Sequence, residues 1–207
     1  MHRFCLILSL CANSFLSLSQ SLNEDSISLL KAKLLAKEAA LENYAADVSL
    51  VTHSTLFVEP QKIDYLMYYI KPNLFRMEKA EGDREILVFN DEKVYRSVEG
   101  GELAELENFK IANAMSEMIS KIISGSYLDG NEFKVDYSIV GNHYIISLQP
   151  MKRLLAKRIK KIEVVLDVES VGIRELTFYE NLHEYFSYKF NSIEYNTEIN
   201  PSIFTLQ

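Results

Sequence analysis

Hydrophobic and polar positions along the chain predict strands on both sides of a helical interruption. From Asp47 onward, short runs rich in Val, Ile, Leu, Tyr and Phe alternate with turn residues such as Pro72-Asn73 and Gly141-Asn142. Because short turns join successive strands, we expect an antiparallel meander. The runs predict nine or ten strands, at 46–58, 62–71, 74–78, 84–89, 93–98, 132–140, 143–149, 159–168, 172–180 and 183–195.

Two segments carry the helical period instead. Residues 24–44 place Ile27, Leu30, Leu34 and Leu41 near one stripe, and residues 108–123 repeat this spacing. A long antiparallel sheet either curls toward a barrel or leaves one face that needs cover, and the two helices are the available cover. No linker or repeat divides the chain, so we expect one α+β, mainly β domain over 22–207.

The first 21 residues have the layout of a secretory signal peptide. Residues 1–3 are positively charged, residues 4–18 are mostly apolar, and serines place cleavage after Ser19 or Ser21. The apolar run is shorter than the roughly 20 residues of a membrane-spanning helix, although an uncleaved anchor is an alternative. A lipoprotein signal acylated at Cys11 is another alternative. With ordinary cleavage both Cys5 and Cys11 are removed, and the mature protein is exported.

Composition and charge exclude several classes of partner. The chain is 48% hydrophobic and 25% charged, which is typical of a globular protein. Its net charge of -7 gives no global attraction to nucleic acid or to an anionic membrane, and we expect no nucleic-acid partner. One basic cluster is an exception that could dock an acidic partner or a lipid headgroup, or could be solvated charge that discourages aggregation. Its members are Lys152, Arg153, Lys157, Arg158, Lys160 and Lys161.

The sequence has no motif that indicates catalysis. His53, His143 and His183 stand in three separate predicted strands, and there is no metal-binding helix, nucleophile elbow or phosphate-binding loop. We therefore expect no catalytic residues, no metal and no cofactor, and predict that the protein is not an enzyme.

Apolar side chains exceed what one face of a sheet requires. Residues 62–71 are apolar or aromatic on both faces, and Phe186, Tyr188 and Phe190 share a face of the last strand. A curved sheet with large apolar side chains on its concave face can enclose an apolar cavity. Methionines in the second helix would make an adaptable cover. The alternative is an ordinary core between a sheet and its helices.

Three short stretches resemble a known family. Residues 71–76 read Lys-Pro-Asn-Leu-Phe-Arg, residues 85–88 read Glu-Ile-Leu-Val and residues 93–95 read Lys-Val-Tyr. A strand ending in Leu-Gln-Pro at 148–150 and a closing Asn200-x-x-x-Phe204 follow the same order. Together they resemble the periplasmic outer-membrane lipoprotein carriers of the LolA type.

The resemblance implies an unclosed, half β-barrel with helices forming a lid over an apolar cavity. It also implies a non-enzymatic, monomeric carrier. Acylated lipoproteins would pass from an inner-membrane ABC transporter complex, through the carrier, to an outer-membrane receptor. Two alternatives use the same fold: a lipid or envelope-stress sensor, and a lipid-anchored outer-membrane receptor.

The resemblance also implies site residues. Lys71 stands where the family often has an arginine that latches the lid, and Lys71 and Arg76 are candidates for a lid latch or for partner docking. Phe75 matches an apolar residue near the cavity mouth, with a core aromatic as the alternative. The expected cavity residues are Tyr69, Phe75, Phe89, Met115, Met118, Ile119, Ile122, Phe186 and Phe190.

Overall fold

The computed structural model describes residues 20–90, 93–99, 101–105, 122 and 132–205. In these ranges, helices are formed by α1 (Glu24–Ala40), by a short segment at Arg153–Ala156 and by a C-terminal 3-10 helix at Pro201–Phe204. The strands are β1 (Gln20–Ser21), β2 (Asn43–His53), β3 (Gln61–Ile70), β4 (Leu74–Lys79), β5 (Ile86–Asn90), β6 (Lys93–Ser97), β7 (Ala104–Glu105), β8 (Phe133–Val140), β9 (His143–Pro150), β10 (Lys161–Asp167), β11 (Ile173–Tyr179) and β12 (Tyr185–Tyr195).

The twelve strands of the described residues form one antiparallel sheet in the order β1-β8-β9-β10-β11-β12-β2-β3-β4-β5-β6-β7. Strands β2–β7 and strands β8–β12 are two meanders, and they meet where β12 pairs with β2 from Tyr195↔Tyr44 to Tyr185↔His53. The edge strands β1 and β7 do not pair with each other, so the sheet is not closed. The predicted mainly β, unclosed architecture is confirmed.

Helix α1 begins at a polar cap and ends earlier than its sequence pattern predicts. The Asn23 side chain accepts a hydrogen bond from the Ser26 amide at 2.9 Å, which satisfies a free donor of the first turn. Leu30 and Leu34 are buried, as the apolar stripe predicts. The helix ends at Ala40 rather than residue 44, because β2 begins at Asn43 and pairs at once with β3 and β12. No helix among the described residues is long and apolar enough to cross a membrane.

The second predicted helix, 108–123, lies outside the described residues except for Ile122, which is buried. The predicted strand 46–58 is wrong at its end. Strand β2 stops at His53, where its partner β12 begins, and Leu56 and Val58 project from an exposed loop.

The sheet has a different apolar cluster on each face. The larger cluster lies beneath α1 and contains Leu30, Leu34 and side chains from most strands. The smaller cluster joins Ile86 and Val88 to Phe204 of the C-terminal helix. The apolar residues on the two faces of β3 therefore belong to two different clusters. Met67 faces the larger cluster and Tyr68 packs against the smaller one.

Candidate functional site

The face of the sheet beneath α1 is the candidate site. Its side chains lie in one continuous register, as in the row Tyr44↔Tyr69, Tyr69↔Phe75 and Phe75↔Phe89. Alternation along each strand directs these residues to the same face. The lining residues are Tyr44, Val48, Met67, Tyr69, Phe75, Phe89, Val94, Ile146, Leu148, Ile162, Val164, Leu176, Phe178, Tyr188 and Phe190.

The structure brings together most of the predicted cavity residues that it describes. Tyr69, Phe75 and Phe89 are buried on adjacent strands, and the Phe75 and Phe89 ring centroids lie 5.7 Å apart. Phe190 is buried on β12 and Phe186 is half-buried beside the same cluster. Met115, Met118 and Ile119 lie outside the described residues.

Polar contacts join the last turn of α1 to the sheet at three places. Lys71 Nζ donates to the Glu38 carbonyl at 2.6 Å, so the predicted latch residue touches the covering helix. Lys37 Nζ donates to the Val171 carbonyl at 3.1 Å and to the Tyr195 hydroxyl at 2.9 Å. Its ammonium also lies 4.2 Å from the Tyr195 ring centroid, a cation–π contact.

Asn196 makes the third contact. Its Nδ2 donates to the Ala40 carbonyl at 2.8 Å, and its Oδ1 accepts from the Glu42 amide at 2.8 Å. The residue has a left-handed φ of 54°, which Asn adopts more readily than most residues. This conformation turns the chain after β12 so that one side chain caps the end of α1.

Burial changes the acid–base behaviour of groups where α1 meets the sheet. Partial burial lowers the pKa of Lys37 to about 8. Burial raises the pKa of Tyr195 to about 12, and it raises the pKa of Tyr137 to about 12. The site therefore favours uncharged side chains, as an apolar environment requires.

The hydroxyl of Tyr44 is exceptional. Tyr44 is fully buried and its ring stacks on Tyr69 at a centroid distance of 5.2 Å. Its hydroxyl has no hydrogen-bond partner among the described residues, whereas the Tyr69 hydroxyl donates to the Pro72 carbonyl at 3.1 Å. Burial raises the pKa of Tyr44 well above its ordinary value. A buried, unpaired donor is rare in proteins.

Arg76 lies on the opposite face of the sheet from Phe75. Its guanidinium donates to the Ile203 carbonyl at 2.8 Å and pairs with Glu78 at 2.7 Å. Burial acts to raise the pKa of Glu78, but hydrogen bonds from Arg76 and Arg84 outweigh it and hold that pKa below its usual value. Among its described contacts, Arg76 thus anchors the C-terminal helix and does not touch α1.

Sequence reasoning missed Lys37, Asn196 and Tyr44. Lys37 has the same spacing as the solvated lysines of α1, and Asn196 follows a strand as many turn residues do. None of the three had a signal, and the sequence pattern placed Tyr44 at the end of the predicted helix 24–44. Among the described residues, no group of three His, Cys, Asp or Glu could hold a metal ion.

Several solved structures are similar to this chain. An uncharacterized conserved protein from Thermus thermophilus matches with a TM-score of 0.52 and 8% identity, over 86% of this chain and 92% of that one. A LolA superfamily protein from Nitrosomonas europaea matches with a TM-score of 0.45 and 8% identity, over 86% and 96% of the two chains. A putative outer membrane lipoprotein-sorting protein domain from Vibrio parahaemolyticus gives 0.45 and 6%, over 85% and 94%.

The sequence identifies the family to which the chain belongs. The model of the family described as outer membrane lipoprotein carrier protein LolA matches residues 59–207, which is well over half of the chain. The chain belongs to this family, and the resemblance carried by residues 71–76 is confirmed. No curated protein matches the chain.

Proposed function

We propose that the protein is a periplasmic carrier that binds the acyl chains of lipoproteins beneath α1 and moves them from the inner to the outer membrane. Membership of the carrier family supports the proposal. In this reading the protein receives cargo from an inner-membrane ABC transporter complex and delivers it to an outer-membrane receptor, as a monomer.

The single observation that carries the proposal is the apolar face of an open sheet under one helix. Leu30 and Leu34 supply the fully buried apolar side chains of α1, while large aromatic residues line the opposite wall. Acyl chains gain about 0.8 kcal/mol per CH₂ removed from water, so displacing such a helix can be favourable when cargo binds. No covalent step is needed.

The polar contacts of α1 fit a cover that opens. A hydrogen bond adds only about 0.5–1.5 kcal/mol to stability, and the Lys71 contact lies at the surface where water replaces it readily. We assign the latch role to Lys71, since it holds the last turn of α1 to the β3–β4 turn. Lys71 is a single-point donor, which makes a weaker latch than the fork of an arginine.

The proposed function includes removal of the signal peptide on export. Residues Gln20 and Ser21 pair with Ile139 and Ser138 of β8, so cleavage after Ser19 retains β1 whereas cleavage after Ser21 removes it. We propose cleavage after Ser19. Mass spectrometry of the protein from the cell envelope measures the new N-terminus, and an acylated Cys11 would contradict this assignment.

A pair of matched peptides tests the carrier function. One peptide carries the acylated N-terminal cysteine of a lipoprotein, and the other has the same sequence without acyl chains. We expect the protein to bind the acylated peptide only, because the peptide without acyl chains has no long apolar chain to bury on the apolar face. Equal affinity for both peptides, or binding of neither, would contradict the proposal.

Two variants refine the peptide experiment. Lys71→Met removes the surface latch and should tighten apparent binding about two- to fivefold, since more molecules are then open. Lys33→Met is the matched control, because Lys33 is an exposed lysine of α1 with no described contact. An unchanged affinity in Lys71→Met would remove the latch role and leave the carrier function standing.

A further inference from the structure

Exposed apolar side chains gather in three connections between strands. Leu56, Phe57 and Val58 in the β2–β3 loop are 87%, 45% and 104% exposed. Leu182 in the β11–β12 turn is 87% exposed, and Met151, directly after β9, is 61% exposed. Side chains this large and this accessible mark an interaction surface when they occur together.

The strand register places these connections side by side at one end of the sheet. His53 pairs with Tyr185, Tyr185 pairs with Tyr179, and Tyr179 pairs with Lys161. Next to β10 lies β9, with Ile162 paired with Leu148, so at about 4.8 Å per strand the row from β9 to β2 is about 19 Å across. The exposed residues thus form one patch, which we call the loop-end patch: Met151, Leu182 and residues 56–58.

Hydrogen bonds hold the two main loops of the patch in place. Glu184 Oε1 accepts from the Thr55 amide at 3.0 Å and from the Thr55 hydroxyl at 2.7 Å. Asn181 Oδ1 accepts from the amides of His183 and Glu184, which fixes the turn. Hydrogen bonds from Thr55 and Ser54 lower the pKa of Glu184, so this carboxylate is ionised but turned toward the loop.

Cations lie beside the apolar side chains. The segment that follows Met151 is anchored by Leu155, which packs on the main core, and by buried Ile159. This anchoring leaves Arg153, Lys157 and Arg158 exposed, with no carboxylate partner among the described residues. The other cations of the basic cluster have partners: Lys152 with Glu132, Lys160 with the carbonyls of Ala156 and Lys157, and Lys161 with Glu163.

We propose that the loop-end patch docks the protein on an anionic lipid bilayer. The apolar tips enter the acyl region, and Arg153, Lys157 and Arg158 contact headgroup phosphates. The patch offers both interactions that stable membrane contact requires, apolar insertion and charge attraction. The positive charge that matches anionic headgroups is confined to these three residues. The whole chain is acidic, and exposed Glu59 and Glu180 flank the apolar side chains of the loops.

A bilayer fits this surface better than an acidic protein does. The tips come from separate loops and project outward, so a protein partner would need a matching pocket for each. A fluid bilayer accepts independent tips without such pockets. Docking through this end does not require cargo, so it stands or falls separately from the carrier function.

Flotation with vesicles tests the proposal. The protein purified from the cell is mixed with vesicles of phosphatidylcholine alone, or of equal parts phosphatidylcholine and phosphatidylglycerol. We expect binding to the mixed vesicles, which weakens with added salt. The double variants Phe57→Ser/Leu182→Ser and Arg153→Glu/Arg158→Glu should each reduce the partition coefficient about tenfold or more.

Matched controls change the same residue types elsewhere. Leu29 is 59% exposed on α1 and Lys33 is exposed on the same helix, so Leu29→Ser and Lys33→Glu should leave partitioning unchanged. Every variant shares one N-terminus, so binding through that segment would be equal in all. Failure to bind mixed vesicles, or equal losses in patch and control variants, would overturn the proposal. Capture of an acidic protein without vesicle binding would overturn it as well.

Discussion

Two stacked tyrosines in the site have opposite hydrogen-bonding states. The Tyr44 hydroxyl is buried without a described partner, and the Tyr69 hydroxyl donates to the Pro72 carbonyl. The same chemical deletion at each position should therefore have opposite effects on stability. Comparing the two variants therefore tests the hydrogen bonding of the site when α1 covers it.

We expect Tyr44→Phe to raise the free energy of unfolding by about 1 kcal/mol, because it removes an unsatisfied buried donor. Tyr69→Phe should lower it by a similar amount, about 1 kcal/mol, because it breaks a hydrogen bond and orphans a carbonyl. Urea denaturation followed by far-ultraviolet circular dichroism measures both. A loss of stability in Tyr44→Phe would show that its hydroxyl has a partner, such as a bound water.

At the residue scale, sequence reasoning located apolar residues better than it located polar ones. The predicted cavity residues Tyr69, Phe75 and Phe89 lie on one face of the sheet, although their contact with cargo stays a prediction. The roles of Lys37 and Asn196 depend on which distant segment comes close. Periodicity reports the face of an element and carries no information about such partners.

The end of α1 depends on one side chain from a distant part of the sequence. Asn196 accepts from the Glu42 amide and donates to the Ala40 carbonyl, so it satisfies groups that a helix terminus leaves free. The residue lies directly after β12, the strand that pairs with β2. The position of α1 and the pairing of the two meanders therefore depend on each other.

Replacement of Asn196 by Asp separates the two contacts. Asn196→Asp keeps the acceptor for Glu42 but removes the donor to Ala40 and adds negative charge at a helix C-terminus. We expect a loss of about 1–2 kcal/mol in the free energy of unfolding and faster amide exchange in the last turn of α1. Asn142, exposed in the β8–β9 turn, supplies the control Asn142→Asp, which should change neither quantity. Equal exchange in the two variants would show that α1 does not depend on Asn196.

At the element scale, the ten longer strands could be predicted and their global order could not. Turn residues such as Gly141-Asn142 mark hairpins, and hairpins define neighbours within each meander. The pairing of β12 with β2 joins segments far apart in sequence, and no local pattern encodes it. Strand β1 is too short at Gln20–Ser21 to show a period at all.

The whole molecule combines two kinds of titrating group that respond to pH in opposite directions. Burial holds the pKa of Lys37 near 8, below its ordinary 10.5, so the unfolded chain binds more protons between these values. Stability therefore rises with pH across that interval. Burial raises the pKa of several tyrosines above the ordinary 10.0, so above that pH the folded state binds more protons than the unfolded chain. The free energy of unfolding therefore falls as pH rises through the pKa values of the folded state. These residues are Tyr44, Tyr69, Tyr137, Tyr188 and Tyr195.

We expect the free energy of unfolding to reach its maximum near pH 10 and to fall toward pH 12, where Tyr137 and Tyr195 ionise in the folded state. Urea denaturation at a series of pH values measures this profile. Lys37→Met should abolish the rise above pH 8, and Tyr137→Phe should reduce the loss above pH 10.

Because Lys37 and Tyr195 both hold α1, the same pH series followed by amide exchange should show α1 loosening before the sheet unfolds. Simultaneous exchange of α1 and the sheet at every pH would contradict a separately opening cover.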